Sequence, residues 1–184
     1  MVFELDKYSV SIIKELNNFS DSKDEIPFYE KEYLPESICF LSNKFGIRIF
    51  EKGIEINSAT IVNGFGATSL HERSQVFYEN QILICCGDSV FCLDIPALIL
   101  KWKTKVDEIT AFQIFKLDDG YVVHGELEIT KINKEGDILW QNSGRDIFIT
   151  PEGKNDFEIK DSYIQAKDWD HQIYKWNFDG EEIK

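Results

Sequence analysis

Three short stretches carry residue types that acid–base or ligand chemistry uses. His71-Glu72-Arg73 follows a glycine-bearing run, Asn63 to Thr68 (NGFGAT). An imidazole, a carboxylate and a guanidinium together suit proton transfer or a grip on a polar substrate, and Gly64 and Gly66 would let a ligand approach the backbone. The run is not a phosphate loop, because it lacks the Gly-Lys-Ser/Thr ending and a following helix pattern. The alternative is an inter-unit loop with solvated charges. The second stretch is HGELE, with His124, Glu126 and Glu128. Strand alternation would put all three on one face, where they could hold a divalent ion or move a proton. A bulge at Gly125 would break that alternation and leave a solvated hairpin turn. The third is Arg145-Asp146 after Gly144, which can pair internally or hold a ligand. Asp168-Trp169-Asp170-His171 lacks the twelve-residue oxygen spacing of a calcium loop and reads as a hairpin turn. No Gly-x-Ser-x-Gly elbow occurs. No catalytic residue, metal centre or cofactor is therefore expected, and the eight residues of the three stretches are candidates for binding.

Composition narrows the setting. The chain has 184 residues, of which 43% are apolar and 14% aromatic. That suffices for one well-packed domain and is short for two. Many aromatics and isoleucines favour strands. The net charge is -13. Such a chain repels phosphate backbones, which argues against nucleic acid, and it would steer a basic protein towards itself. Acidity of this kind is also common among bacterial-type cytosolic proteins. The N-terminus, MVFELDKYSV, carries acidic residues at once and does not resemble a secretory signal, and no run approaches the length of a membrane span. A cytoplasmic location is expected, with no membrane partner. Of the four cysteines, Cys39, Cys85, Cys86 and Cys92, the neighbours Cys85 and Cys86 would point to opposite faces of a strand. They are badly placed to chelate one ion, and buried thiols are expected.

The elements that must position these residues form a repeat. Tyr121 to Trp140 (YVVHGELEITKINKEGDILW) is echoed by Tyr163 to Ile183 (YIQAKDWDHQIYKWNFDGEEI). Phe50, Leu93, Ile132 and Trp176 close corresponding strands and stand 43, 39 and 44 residues apart. Asn133 to Gly136 and Asn177 to Gly180 repeat one turn, whose glycine supplies positive φ. Each unit reads as three to four short antiparallel strands in about 42 residues, the signature of a β-propeller blade. The expected fold is all-β: about four propeller-like units over residues 37–184, as a small ring or an incomplete propeller, within a single domain 1–184. Residues 1–36 read as an N-terminal appendage with a strand at Val2 to Leu5 and a short helix at Ser9 to Phe19, where Ile12, Ile13, Leu16 and Phe19 have helical spacing. Ser37 to Ser42 reads as the next strand, Asn43 to Gly46 as a turn, and Ile54 to Asn57 and Ala59 to Ser69 as separate pieces. Val2 to Leu5 is expected to pair onto the last unit and protect its edge.

The pattern of an apolar strand, a turn, a strand ending in an aliphatic residue, Asn/Asp-x-x-Gly and Ile-Leu-Trp is similar to the quinoprotein-like (pyrroloquinoline-quinone dehydrogenase type) propeller repeat. Ile132 through Trp140 matches it best, and the resemblance covers roughly residues 37–184. Adjacent cysteines resembling Cys85-Cys86 stand against the cofactor in some of those enzymes, but this chain lacks the size and the supporting site for the quinone. The Trp-Asp pair of WD repeats is absent from its strand-end position: Trp169-Asp170 falls in a turn. The order of segments also resembles small bacterial propeller-like proteins. These likenesses, with size and charge, imply a non-catalytic interaction module for a basic partner, for example an immunity-type protein, and open sheet edges admit a homo-oligomer. The alternative is a small-molecule or sugar-binding module, or a hydrolase, and it requires His71, Glu72, His124, Glu126 and Arg145 to converge on one inter-blade pocket.

Overall fold

The computed structural model describes residues 1–15, 28–35, 43–64, 66–153 and 156–183. Every regular element among them is a strand. The first sheet holds β1 (Val2–Glu4), β2 (Ser9–Lys14), β3 (Lys31–Tyr33), β4 (Asn43–Glu51) and β5 (Ile54–Asn63), in the order β1-β2-β4-β5-β3. The second is the meander β6 (Gln75–Tyr78), β7 (Gln81–Cys86), β8 (Ser89–Asp94) and β9 (Leu100–Lys105). The third repeats it with β10 (Ala111–Lys116), β11 (Tyr121–Gly125), β12 (Glu128–Ile132) and β13 (Ile138–Ser143). The fourth has β14 (Phe157–Ile159), β15 (Ile164–Lys167) and β16 (Ile173–Trp176), with a single further bridge from Trp176 to Glu182.

The sheets stack face to face, as the repeat requires: a lone sheet of this composition could not bury both faces. Ile47, Ile61, Ile82, Ile84 and Cys86 fill the layer between the first and second sheets. Leu83, Cys85, Val123 and Ile132 fill the layer between the second and third. Val122, Ile129, Phe157, Ile164 and Trp176 fill the layer between the third and fourth. Cys85 and Cys86 thus stand in different layers, as strand alternation demands. Both are free thiols, and burial pushes Cys86 up to about 12. Among the described residues no fourth layer joins the last sheet to the first, so the stack is open. Its two outer faces differ from the inner ones. On the fourth sheet Glu158, Gln165 and Lys175 stand in register, all partly exposed. On the first, the Tyr29 ring lies on Gly46, where a Cβ would collide with it, Arg48 covers the ring, and the Tyr29 hydroxyl donates to Glu15, which pairs with Lys44 at 2.7 Å.

The repeat also fixes local devices. Register shifts fall at Ile49/Phe50, Cys92/Leu93 and Lys131/Ile132, beside the residues that mark the 43- and 39-residue intervals. Asn133 Oδ1 accepts from the N–H groups of Glu135 and Asp137, and Asn177 Oδ1 accepts likewise from Asp179 and Glu181. Each turn meets the last strand of the sheet before it. Trp102 Nε1 donates to Lys134 O and its ring covers Gly136, while Trp140 Nε1 donates to Phe178 O and its ring covers Gly180. Both glycines have positive φ, and a Cβ on either would strike the indole.

The N-terminal segment departs from expectation. Ser9–Lys14 is a strand, not a helix, paired to β4 from Ser9↔Phe50 to Lys14↔Phe45. Val10 and Ile12 are buried by alternation, while Ile13 faces the other way and is 41% exposed. The rest of the expected helix, 16–19, and the expected strand 37–42 lie outside the described residues. Val2–Glu4 pairs with β2, not with the last unit, so the expected closure by the N-terminus is wrong. The chain is near enough to β2 for a tight turn at 5–8 to deliver that pairing, with Leu5 N donating to Tyr8 O. Strands β1 and β2 therefore build the first sheet. Asn43–Gly46 is the start of β4 rather than a turn, and β5 runs unbroken from Ile54 to Asn63.

Candidate functional site

The linkers between sheets carry the polar architecture. Asp107, 1% exposed, follows β9 and accepts four backbone N–H groups: Ile109 and Thr110 through Oδ1, Leu127 and Glu128 through Oδ2. It binds the linker to the β11–β12 turn, and Gly125 lacks a Cβ because Asp107 occupies that space. Asp168, also 1% exposed, accepts from Gln172 N and from the Tyr174 hydroxyl, both at 2.8 Å. These carboxylates are spent on structure.

The β11–β12 turn separates the second candidate group. Strand β11 ends at Gly125 and β12 begins at Glu128, so His124, Glu126 and Glu128 do not share a strand face. Glu126 lies in the turn, donating its N–H to Thr110 O and accepting from Phe148 N. Glu128 accepts from the Gln141 amide at 3.0 Å. His124 is buried. Its Nε2 lies 2.8 Å from Phe148 O, and since a carbonyl only accepts, Nε2 carries the proton. Its ring stacks on Phe157, centroids 5.0 Å apart and 11° between planes, with the Phe112 edge at 5.7 Å. Nδ1 is left as a lone pair with no partner. Burial lowers its pKa to about 4, against opposing contributions from Phe148 O and Asp156.

His71 sits beside Phe112 at the entry to β6. Arg73 N donates to His71 Nδ1 at 3.2 Å, and burial, with the Arg73 charge adding to it, lowers the His71 pKa. Glu72 is exposed, and its carbonyl accepts from Gln75. The Arg73 guanidinium lies 5.2 Å from the Phe115 ring centre. Arg145 and Asp146 stand elsewhere and do not pair with each other among the described residues. Arg145 N donates to Tyr174, and Asp146 Oδ1 accepts from Ile147 N at 2.7 Å.

One cleft of about 380 Å³ between the third and fourth sheets brings Arg73 and His124 together with Gln113, Asp156, Glu158 and Lys160. Of the five residues required to converge, its lining contains His124 alone. Asp156 and Lys160 escaped the sequence reading because each looked like the border of a strand. Only the stacking of Phe157 on His124, between sheets, makes them neighbours of that residue.

No family model and no curated protein matches the chain. Solved structures are similar in shape. The computationally designed Ika8 protein superposes with a TM-score of 0.53 at 12% identity over 77% of this chain and 45% of its own. The computationally designed Ika4 protein gives 0.49 at 15% over 66% and 79%, and the WD40 beta propeller domain of Doa1 gives 0.49 at 12% over 76% and 46%. The chain spans less than half the length of the Ika8 and Doa1 chains. The likeness to the Ika8 protein concerns the fold alone.

Proposed function

We propose that this protein is a non-catalytic interaction module that binds a basic protein through one end of its sheet stack. In an antiparallel meander, the turns joining first to second and third to fourth strands lie at the same end. Here those turns present Asp118, Asp119, Glu135, Asp137, Asp179 and Glu181, all exposed. Lys131, buried between them, ties the rim together by reaching Asp119 at 2.8 Å and Phe178 O at 2.9 Å. A second cleft, about 480 Å³, opens at this end and is lined by Asp6 and Glu79 together with Lys7, Tyr8 and Asn80. The concentration of carboxylates on turns held by a rigid scaffold carries the reading. With a net charge of -13 it supports steering of a cationic partner, and an immunity-type role against a basic toxin is its most concrete form. The quinoprotein-like repeat enters as scaffold alone. The free thiols suit a reducing compartment, and a cytoplasmic location is part of the proposal. No helix is long and apolar enough to cross a membrane among the described residues.

The test is affinity capture from the producing organism at low and high salt, with the protein and a variant combining Asp118→Lys, Asp137→Lys and Asp179→Lys. A basic protein should be retained at low salt, released at high salt and lost by the variant. Capture of no partner, or equal capture by the variant, would overturn the reading.

We also propose self-association through a sheet edge. The edge strand β9 (LKWKTK) is guarded by three lysines, whereas β13 (ILWQNS) carries no charge and exposes Ile138 by 44% and Leu139 by 51%. Light scattering should find concentration-dependent dimers that Leu139→Lys abolishes; a monomer at every concentration refutes the edge contact.

A further inference from the structure

The cleft between the third and fourth sheets contains a cation and an anion that do not neutralise each other. Arg73 is stacked on Phe115 and, among the described residues, has no carboxylate within ion-pair distance. Asp156 accepts from the Thr150 hydroxyl through Oδ1 and likewise meets no cation. The other two charges of the lining satisfy one another, Lys160 pairing with Glu158 at 2.7 Å. Between the walls lies His124, 4% exposed, with Nε2 committed to Phe148 O and Nδ1 unpartnered. A buried acceptor left without a donor costs roughly 1–3 kcal/mol, so a group that donates to it is favoured there.

We propose that this cleft is a binding site for a free α-amino acid with an apolar side chain. The ligand's carboxylate lies on Arg73, whose planar fork suits it. Its ammonium donates to Asp156 and to His124 Nδ1, and its side chain lies along Ile159, the part-exposed apolar residue of the lining. A sugar satisfies Nδ1 but leaves both charges unpaired. A dicarboxylate satisfies Arg73 but sets its second charge against Asp156 and the imidazole lone pair. The cleft volume of about 380 Å³ falls at the small end of ligand pockets, which suits a ligand of amino-acid size. No bond is made or broken, and the site stands apart from the acidic rim proposed for a protein partner.

The ring nitrogens of His124 report occupancy directly by ¹⁵N NMR. The probes are L-leucine, 4-methylpentanoate (its carboxylate half), 3-methylbutylamine (its ammonium half) and glucose. L-leucine should move the Nδ1 resonance, and each half-molecule should bind at least about tenfold more weakly. Arg73→Ala, at an exposed position, should weaken L-leucine by at least about tenfold with the remaining spectrum unchanged, and Asp156→Asn should do the same. The proposal is overturned if the resonance is unmoved by L-leucine at about 10 mM, a millimolar affinity limit. It is equally overturned if a half-molecule or glucose binds as well as L-leucine, or if Arg73→Ala binds it undiminished.

Discussion

An imidazole that gives its only N–H to a backbone carbonyl and lies parallel to a phenyl ring gains little from a second proton. His124 is such a group, and burial holds its pKa at about 4, the Phe148 carbonyl and the Asp156 carboxylate offsetting part of that effect. In the unfolded chain the ring titrates near its ordinary value of about 6.5. Between these values the unfolded chain binds a proton that the folded chain does not, so this contribution to stability is lost as pH falls from about 6.5 to about 4. The interval corresponds to about 3 kcal/mol. Other groups titrate in the same window, among them His71, lowered by burial, and Glu128, raised by burial, so the comparison must be internal. Urea unfolding of the protein and of His124→Gln at about pH 7.5 and about pH 4 isolates the contribution: the stability difference between the two proteins should shift by about 3 kcal/mol in favour of the variant at low pH. Parallel loss in both would refute it. His124 was visible in the sequence as a residue able to do chemistry. Its state was not, because Phe148 and Phe157 reach it from a linker and from the next sheet, 24 and 33 residues further on.

At the scale of elements, what could be read in advance was what repeats. The Asn-x-x-Gly turns and the tryptophans recur at matching places, and the structure joins them across sheets: Trp140 covers Gly180 as Trp102 covers Gly136. Residues 1–15 repeat nothing within the chain, and there the reading failed. Ile12, Ile13, Leu16 and Phe19 fit a helical face, but Ser9–Lys14 has a strand partner in β4 that offers backbone hydrogen bonds along its whole length and a buried row for Val10 and Ile12. Tertiary pairing overrides local spacing in so short a segment. The candidate site shows the same limit, since Asp107 and Asp168 look like solvated turn residues until their backbone donors are seen. The tryptophan caps can be tested singly. Trp140→Ala removes a half-buried indole, its hydrogen bond to Phe178 O and the cover of Gly180. It should destabilise the protein by about 2–3 kcal/mol in denaturant unfolding, below the range for a fully buried tryptophan. A loss within about 0.5 kcal/mol, the scale of an ordinary surface change, would mean that the cap is not a stabilising contact.

For the whole molecule, the decisive property is that the stack formed by the described residues has ends. In an open array each sheet is stabilised by its neighbours, so an inner sheet gains from two layers and a terminal sheet from one. The second sheet is inner: Ile82 and Ile84 of β7 fill one layer, Leu83 and Cys85 the other, and all four are fully buried. The fourth is terminal and has three strands. Ile164 and Ala166 of β15 fill its one layer while Gln165 and Lys167 face outward. The first sheet is terminal as well, but its outer face gains Tyr29, Arg48 and the Glu15–Lys44 pair. The fourth sheet should therefore open first, by a sub-global step that leaves the other three sheets formed. Native-state amide exchange in rising guanidinium separates the possibilities. Amides of β15 should exchange through an opening at least about 2 kcal/mol smaller than those of β7, and with a smaller denaturant dependence, since less surface is exposed. A ring closed by contact between the fourth and first sheets would give every sheet two layers. The amides of β7 and β15 would then merge into one global isotherm, and that result would refute the open stack. The order of opening also bears on the cleft at His124, because its far wall is β14: a ligand bound there should raise the opening free energy of β15 and that of β7 by the same amount, since both openings release it.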